Sequence, residues 1–299
     1  MSYHILHVLQ HGAVLGKDRG FLTCCPPAES GLPERRMPIE DIRAVIIAAR
    51  GVTLTSNAIG ALLEAEVIIL HCNEKYEPCG VTAPLPRIID LRTFQNQISR
   101  PTRLNQQVWN RLLLGKTRNQ QGVLQQHEQF SAYLERALKT KKVDEGNCAR
   151  KYWQLYFPAI GWGGTSRDRK QDTPPNRMLN YGYTVLATLC HRALLVHGLS
   201  PLLGVGHMPR YRSAPLVYDL MEPYRPFVDC LLAEFMTGPD ISSERWARFI
   251  GGQLREHRVH HDRFSLKLMD GIDKTASTLA RCYADLSVEA LWLPTLAAA

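Results

Sequence analysis

The chain changes character near residue 95, and this break constrains the fold more than any other feature. Before it, short apolar runs of strand length alternate with turn residues. After it, Thr102–Leu138 contains no proline and is rich in Gln, Leu and Arg. A run of that kind suits one or two long helices and no sheet. The expected fold class is therefore α+β, with a small N-terminal β-domain over residues 1–95 and a larger all-α C-terminal domain over 96–299.

Within the first part, residues 3–9 and 12–15 are β-type runs. Lys17-Asp18-Arg19-Gly20 ahead of Phe21-Leu22-Thr23 is a hairpin signal. Arg43–Ala49, Val67–Leu70 and Cys79–Ala83 read as further strands, and Ala58–Ala65 as a short helix behind the capping run Thr55-Ser56-Asn57. No catalytic cluster occurs here, so this part reads as structural, with strand edges suited to dimerisation. In the second part, a helix begins near Val143, and Gly163–Pro175 reads as a mobile polar loop. Asn176–His197 is the most apolar helix. Phe227–Met236, Ile241–Ile250 and Leu254–Tyr283 follow as helices, and Leu291–Ala299 as a poorly ordered tail.

Charge divides at the same place. Residues 1–95 carry nine Lys/Arg against ten Asp/Glu, whereas 96–299 carry 27 against 18. The whole basic excess lies in the helical part, which points to an anionic polymer bound there. Arg103, Arg111, Lys116, Arg118, Arg136, Lys139, Lys141 and Lys142 are opposed in their stretch only by Glu128 and Glu135. The eight cysteines are scattered without a C-x-x-C pair, and the longest apolar segment is broken by His191, Arg192 and His197. These features lead us to expect a soluble, cytoplasmic protein with reduced thiols and no membrane span.

The candidate chemistry centres on Ser200–Pro226, a Gly- and Pro-rich turn leading into an apolar run that ends in Asp219-x-x-Glu222. Together with His207 and with Glu145 from an earlier helix, it offers the ligand set of a hard divalent cation, Mg²⁺ or Mn²⁺. Asp219 supports the site as an acidic neighbour, and Pro223 is expected to kink the helix and disfavour αR at Glu222. Each residue also has an ordinary reading, as a hydrogen-bonded core histidine or a surface ion-pair member. Competing sites are missing from the sequence: no Glu-x-x-His, no P-loop and no Gly-x-Ser-x-Gly. His257-x-x-His260-His261 reads as a polar helix face.

Several motifs together resemble one family. They are Lys116-x-x-Asn119-Gln120, Glu145-Gly-x-x-Ala149-Arg-x-Tyr152-Trp153, Pro174-x-Asn176, Leu179-Asn180-Tyr181-Gly182-Tyr183, Gly204-x-Gly206-His207 and Leu216-x-Tyr218-Asp219-Leu-x-Glu222-Pro-x-Arg225-Pro226. In this order they are similar to CRISPR-associated protein one, the metal-dependent integrase and endonuclease of spacer acquisition, and look most like its type II branch. The resemblance implies Glu145, His207 and Glu222 as metal ligands. It also implies a homodimer formed largely through the β-domains, and a heterohexamer with CRISPR-associated protein two. Its substrate would be double-stranded DNA, both the captured prespacer and the CRISPR repeat. Lys116, Arg118, Arg167, Arg177, Arg210 and Arg225 are the candidates for holding phosphates. Tyr152 and Trp153 either stack on bases or pack in the core. A structure-selective metal nuclease that does not join strands, and a non-catalytic nucleic-acid scaffold, remain as alternatives.

Overall fold

The computed structural model describes residues 4–74, 78–86, 90–99, 101–168, 170–208, 214–261 and 264–296. Strands β1 (His4–Val8), β2 (Val14–Asp18), β3 (Phe21–Cys25), β4 (Arg35–Pro38), β5 (Ile42–Ile47) and β6 (Thr53–Leu54) precede helix α1 (Ser56–Glu64). Strands β7 (Ile68–Cys72) and β8 (Pro78–Thr82) complete two four-stranded sheets. One sheet has the order β1-β5-β7-β8, parallel except for β8. The other has the order β4-β3-β2-β6. The β2–β3 turn places Arg19 and Gly20 at positive φ, as a two-residue primed hairpin turn requires. Strand β4 was not foreseen, because Arg35 and Arg36 give it no apolar alternation; it is an edge strand, where charged side chains are tolerated.

The sheet β1-β5-β7-β8 is a wall shared by two cores. On β5, Val45 and Ile47 face a core filled by Leu15, Leu22, Leu62 and Ile69. Ala44 and Ile46 face the helices on the other side. Burial on both faces explains why this strand is an unbroken apolar run, as in parallel sheets covered on both sides.

Ten helices in all are described, nine of them after β8: α2 (Leu91–Ser99), α3 (Thr102–Gln126), α4 (Ala132–Thr140), α5 (Glu145–Ala159), α6 (Pro174–Val196), α7 (Pro215–Met221), α8 (Arg225–Met236), α9 (Ser243–Glu256) and α10 (Leu268–Asp285). Helix α2 straddles the position where the sequence changes character. A single 3-10 turn, Glu222–Tyr224, joins α7 to α8. Glu222 adopts αR (φ −54°, ψ −49°) despite the proline behind it, so the expected disfavouring of αR there is corrected, and the run tightens to a 3-10 turn at Pro223. No described helix is long and apolar enough to cross a membrane.

An ionic cluster centred on buried Arg192 ties the two parts together. Arg192 on α6 donates to the Glu66 carbonyl (2.7 Å) and pairs with the Glu66 carboxylate (3.2 Å) and with Asp273 of α10 (3.1 Å). Arg43 on β5 reaches the same Asp273 at 2.5 Å.

Two expectations for the C-terminal part are corrected, the single helix over Leu254–Tyr283 and the poorly ordered tail. The stretch Leu254–Tyr283 is not one helix: between α9 and α10 stands a hairpin of β9 (Arg258–His261) and β10 (Phe264–Lys267). The His257-x-x-His260-His261 group therefore lies at a helix end and on a strand. Val259 points inward and is fully buried, and the Leu268 N–H closes the hairpin on the His257 carbonyl (2.8 Å). The tail is docked through Leu296, because Thr295 and His260 exchange both backbone hydrogen bonds (2.7 and 2.9 Å). The Gly163–Pro175 loop is pinned at Arg167, which donates to Asn176 (2.9 Å) and Asn180 (2.8 Å).

Candidate active site

The His207 turn is shaped by one carboxylate. Two hydrogen bonds between Gln97 of α2 and the Ser200 backbone (3.0 and 2.9 Å) set where the loop starts. Asp219, fully buried on α7, then accepts the backbone N–H groups of Val205 (2.6 Å), Gly206 (3.2 Å) and His207 (2.8 Å). It also accepts His207 Nδ1 at 2.7 Å. The chain passes so close that a Cβ at Gly204 would lie 2.6 Å from the His207 carbonyl, and one at Gly206 would overlap the Trp109 ring. Glycine is required at both positions. With Nδ1 donating to Asp219, the imidazole presents Nε2 as its lone-pair nitrogen, the arrangement in which a carboxylate orients a metal-binding histidine.

Glu222 and Glu145 meet through Lys116. Glu222, on the 3-10 turn, is 3% exposed; its Oε1 accepts Arg225 Nε at 2.8 Å and its Oε2 lies 2.6 Å from Lys116 Nζ. Burial by itself raises the pKa of this carboxyl, but Arg225, Lys116 and the nearby His207 outweigh it and bring it down to about 2. Glu145 opens α5 behind the N-cap Asp144, and its Oε1 lies 3.0 Å from the same Lys116 ammonium. Burial disfavours the charged form of Lys116, but the two glutamates more than compensate and raise its pKa. α3, α5 and the α7–α8 junction thus meet at Lys116, and His207 lies near enough for its charge to act on Glu222.

Of the residues read as phosphate contacts, Lys116 and Arg225 instead direct their charge at these glutamates and are largely buried. Arg118 is exposed on α3. Arg177 is exposed and pairs with Asp172 at 2.9 Å. Arg167 lies over the rings of Trp153 (5.7 Å) and Tyr183 (5.4 Å). Arg210 lies outside the described residues. Tyr152 is a fully buried core side chain, and Trp153 packs partly buried beside it.

The donor set of two carboxylates and one imidazole nitrogen fits Mg²⁺ or Mn²⁺ in chemistry. Glu222 Oε2 is buried without a hydrogen bond of proper geometry and faces the Lys116 ammonium at 2.6 Å, so this acceptor already sits opposite a positive charge. Among the described residues, no three His, Cys, Asp or Glu side chains close on a common point as they stand. The ammonium of Lys116 lies between the two glutamates and holds them.

Behind the site lies a network that sequence reasoning missed. Asp229 is buried on α8, two helical turns beyond Glu222, and accepts the hydroxyls of Tyr152 (2.9 Å) and Tyr183. The Tyr156 hydroxyl donates to its carbonyl at 2.7 Å. Arg225 stacks over Tyr183 at 4.8 Å, linking this network to Glu222. The available signal was the i, i+7 spacing of Glu222 and Asp229, which places both acids on one helix face. Burial, partly opposed by the tyrosine hydroxyls, raises the Asp229 pKa to about 6. The folded form therefore binds a proton that the unfolded form releases near 3.8, and stability falls as pH rises from about 3.8 to about 6. Asp229→Asn removes that loss. Its melting temperature relative to wild type is expected to climb between pH 4 and pH 7, by an amount on the order of 2–3 kcal/mol of stability. A pH-independent difference would show that the acid is ionised throughout.

Comparison with known proteins places the chain in a family. Residues 6–248 match the family model described as CRISPR associated protein Cas1. A CRISPR-associated endonuclease Cas1 from Neisseria meningitidis is 27% identical over 297 residues, which cover 97% of this chain and 95% of that protein. Among solved structures, a casposase bound to integration product superposes with a TM-score of 0.81 at 20% identity, over 96% of this chain and 92% of that one. A chain of a Cas6-RT-Cas1–Cas2 complex superposes with a TM-score of 0.70 at 17% identity, over 97% of this chain and 36% of that one. With a family match that takes in most of its length and every candidate ligand, the chain belongs to the CRISPR-associated Cas1 family.

Proposed function

We propose that the protein catalyses metal-dependent strand transfer, inserting captured DNA fragments into a CRISPR array. One observation carries this reading: two carboxylates, one opening α5 and one on the α7–α8 turn, gather around a single cation, while Asp219 takes Nδ1 of the nearby His207 and leaves its Nε2 free. Glu145, His207 and Glu222 would hold Mg²⁺ or Mn²⁺, which supplies positive charge at a phosphoryl oxygen and activates the attacking oxygen. Asp219 keeps the imidazole in the ligand tautomer. Arg225 and Lys116 keep Glu222 ionised. Arg118, Arg167 and Arg177, with Arg210 outside the described residues, are the candidates that remain to grip phosphates. In the transfer, the 3′-oxygen of the fragment bonds to a phosphorus of the repeat, and the host strand's own 3′-oxygen departs with the proton. One phosphodiester replaces another, so no nucleotide is consumed.

The partners follow from the same reading: duplex DNA as prespacer and repeat, a second copy of the chain through the β-domains, and the small Cas2 protein in a heterohexamer. A casposase holding its integration product and a complex containing both Cas1 and Cas2 support this. The deciding experiment uses a branched DNA that mimics the half-integrated product, labelled on both strands, with Mn²⁺ and without ATP. Strand transfer run backwards releases the flap with a 3′-hydroxyl and reseals the continuous strand. A cut flap with an open nick would establish hydrolysis alone, and binding without either product would leave only a scaffold.

Affinity for duplex is expected to depend steeply on salt. Arg118→Glu should flatten the log–log slope by about one unit for each phosphate that the side chain no longer neutralises. Fluorescence anisotropy from 50 to about 300 mM salt measures this. An unchanged slope would remove Arg118 from the phosphate-binding set.

A further inference from the structure

We infer that Asn119 is a positioning residue for Glu222, and that the segment Leu291–Leu296 acts through it as a strap on the turn bearing that carboxylate. The inference rests on the reading of Glu222 as a metal-binding carboxylate.

The turn Glu222–Tyr224 needs outside support. It is a three-residue 3-10 turn, a form with poorer hydrogen-bond geometry than the α-helix, and Pro223 brings no N–H to it. The Pro223 carbonyl is taken instead by Asn119 Nδ2 of α3, at 2.8 Å. The same amide nitrogen donates to the Pro294 carbonyl at 3.1 Å, and Asn119 Oδ1 accepts the Leu296 N–H at 3.1 Å. Asn119 is 1% exposed, so these three bonds satisfy it away from water and leave a single orientation for its amide.

α3 approaches the turn closely enough that a Cβ at Gly115 would lie 3.2 Å from Pro223 and 3.3 Å from Leu293. Lys116 and Asn119, three residues apart, share one face of that helix. One holds the Glu222 side chain and the other the backbone of the residue after it. The strap is itself anchored elsewhere. The Trp292 N–H donates to Thr278 Oγ1 (3.1 Å), Leu293 O contacts His261 Nδ1 (2.9 Å), and Thr295 Oγ1 donates to the His260 carbonyl (2.8 Å). Glu222 is thus registered against the β9–β10 hairpin through Asn119, and against α10 both through Asn119 and through the bond between the Tyr224 hydroxyl and Thr275 Oγ1 (2.6 Å).

Asn119→Ala, Leu296→Pro and the control Asn105→Ala test this in the full-length chain. Asn105 lies on the same helix and loses a buried bond from the Tyr283 hydroxyl (3.0 Å), far from the turn. Free Mn²⁺ counted by electron paramagnetic resonance gives metal affinity without reference to activity. Asn119→Ala is expected to weaken Mn²⁺ binding by about 10–100-fold, the range typical when a residue that orients a metal ligand is removed. It should lower the joining kcat comparably while leaving KM for DNA unchanged. Leu296→Pro, which removes the N–H that Asn119 accepts together with the leucine side chain packed near Gly122, should act in the same direction and more weakly. It also carries the test should Asn119→Ala not fold. Mn²⁺ affinity at the turn variants equal to that of Asn105→Ala would overturn the inference. A wild-type protein that neither binds Mn²⁺ nor joins strands would overturn the metal reading itself.

Discussion

Glu222→Gln is expected to abolish strand joining and to lower the melting temperature by several degrees. The wild-type carboxylate is clamped between two cations in a buried setting, with Arg225 at 2.8 Å and Lys116 at 2.6 Å. Removing its charge leaves both cations buried with too little opposite charge. Breaking a buried pair from one side typically costs about 3–5 kcal/mol. The carboxyl of Glu222 is held at about 2, below its ordinary 4.5. Its contribution is therefore fully present above about pH 4.5 and is lost as pH falls toward 2. The melting-temperature gap between variant and wild type should accordingly be constant from pH 5 to 8 and narrow below pH 4.5. Mn²⁺ should stabilise the wild type and not the variant, since only a species that binds the ion gains from it. Joining by Glu222→Gln within tenfold of wild type would remove Glu222 from the chemistry.

Asp219→Ala should be the most damaging change in the 200–208 loop. It strips the acceptor from three backbone N–H groups and from His207 Nδ1 at once. A buried donor left unpaired costs about 1–3 kcal/mol, so the loop is expected to open rather than persist unsatisfied. Amide exchange at residues 205–207 should accelerate by orders of magnitude, and joining should fall to background. Asp219→Asn tests the tautomer more finely. An amide offers one acceptor oxygen where the carboxylate offered two, and nitrogen-15 spectra should show the His207 ring proton no longer held at Nδ1. Retention of the proton at Nδ1 together with full activity would show that the loop backbone alone orients the imidazole.

Much of this site was legible in the sequence because its parts have local signatures. Gly204-x-Gly206-His207 signals a tight turn. Asp219 and Glu222 are spaced for one helix face, and Glu145 stands where an acid suits a helix start. What could not be read is which charges are buried. Lys116 and Arg225 look like any basic residues on a basic protein until their surroundings are known. Only the packing of α3 against the α7–α8 junction turns them inward, toward glutamates 29 and 106 residues from Lys116 in one case and three residues from Arg225 in the other. The β9–β10 hairpin stayed hidden for a related reason. Its four-residue strands are too short for a clear alternation, and β9 gains partners from Thr295, far along the chain. Asn119 likewise acquires its meaning only when residues 223, 294 and 296 are brought to it.

The cluster of Arg43, Glu66, Arg192 and Asp273 has a mechanical consequence. Ion pairs with fixed donor and acceptor directions resist rotation in a way that an apolar seam, which can slide, does not. Arg192 is only 4% exposed, so added salt cannot readily loosen its pairs. The strand-built part is therefore a handle joined to helices α6 and α10 by bonds of fixed direction, so a partner that grips it would also orient the helical part.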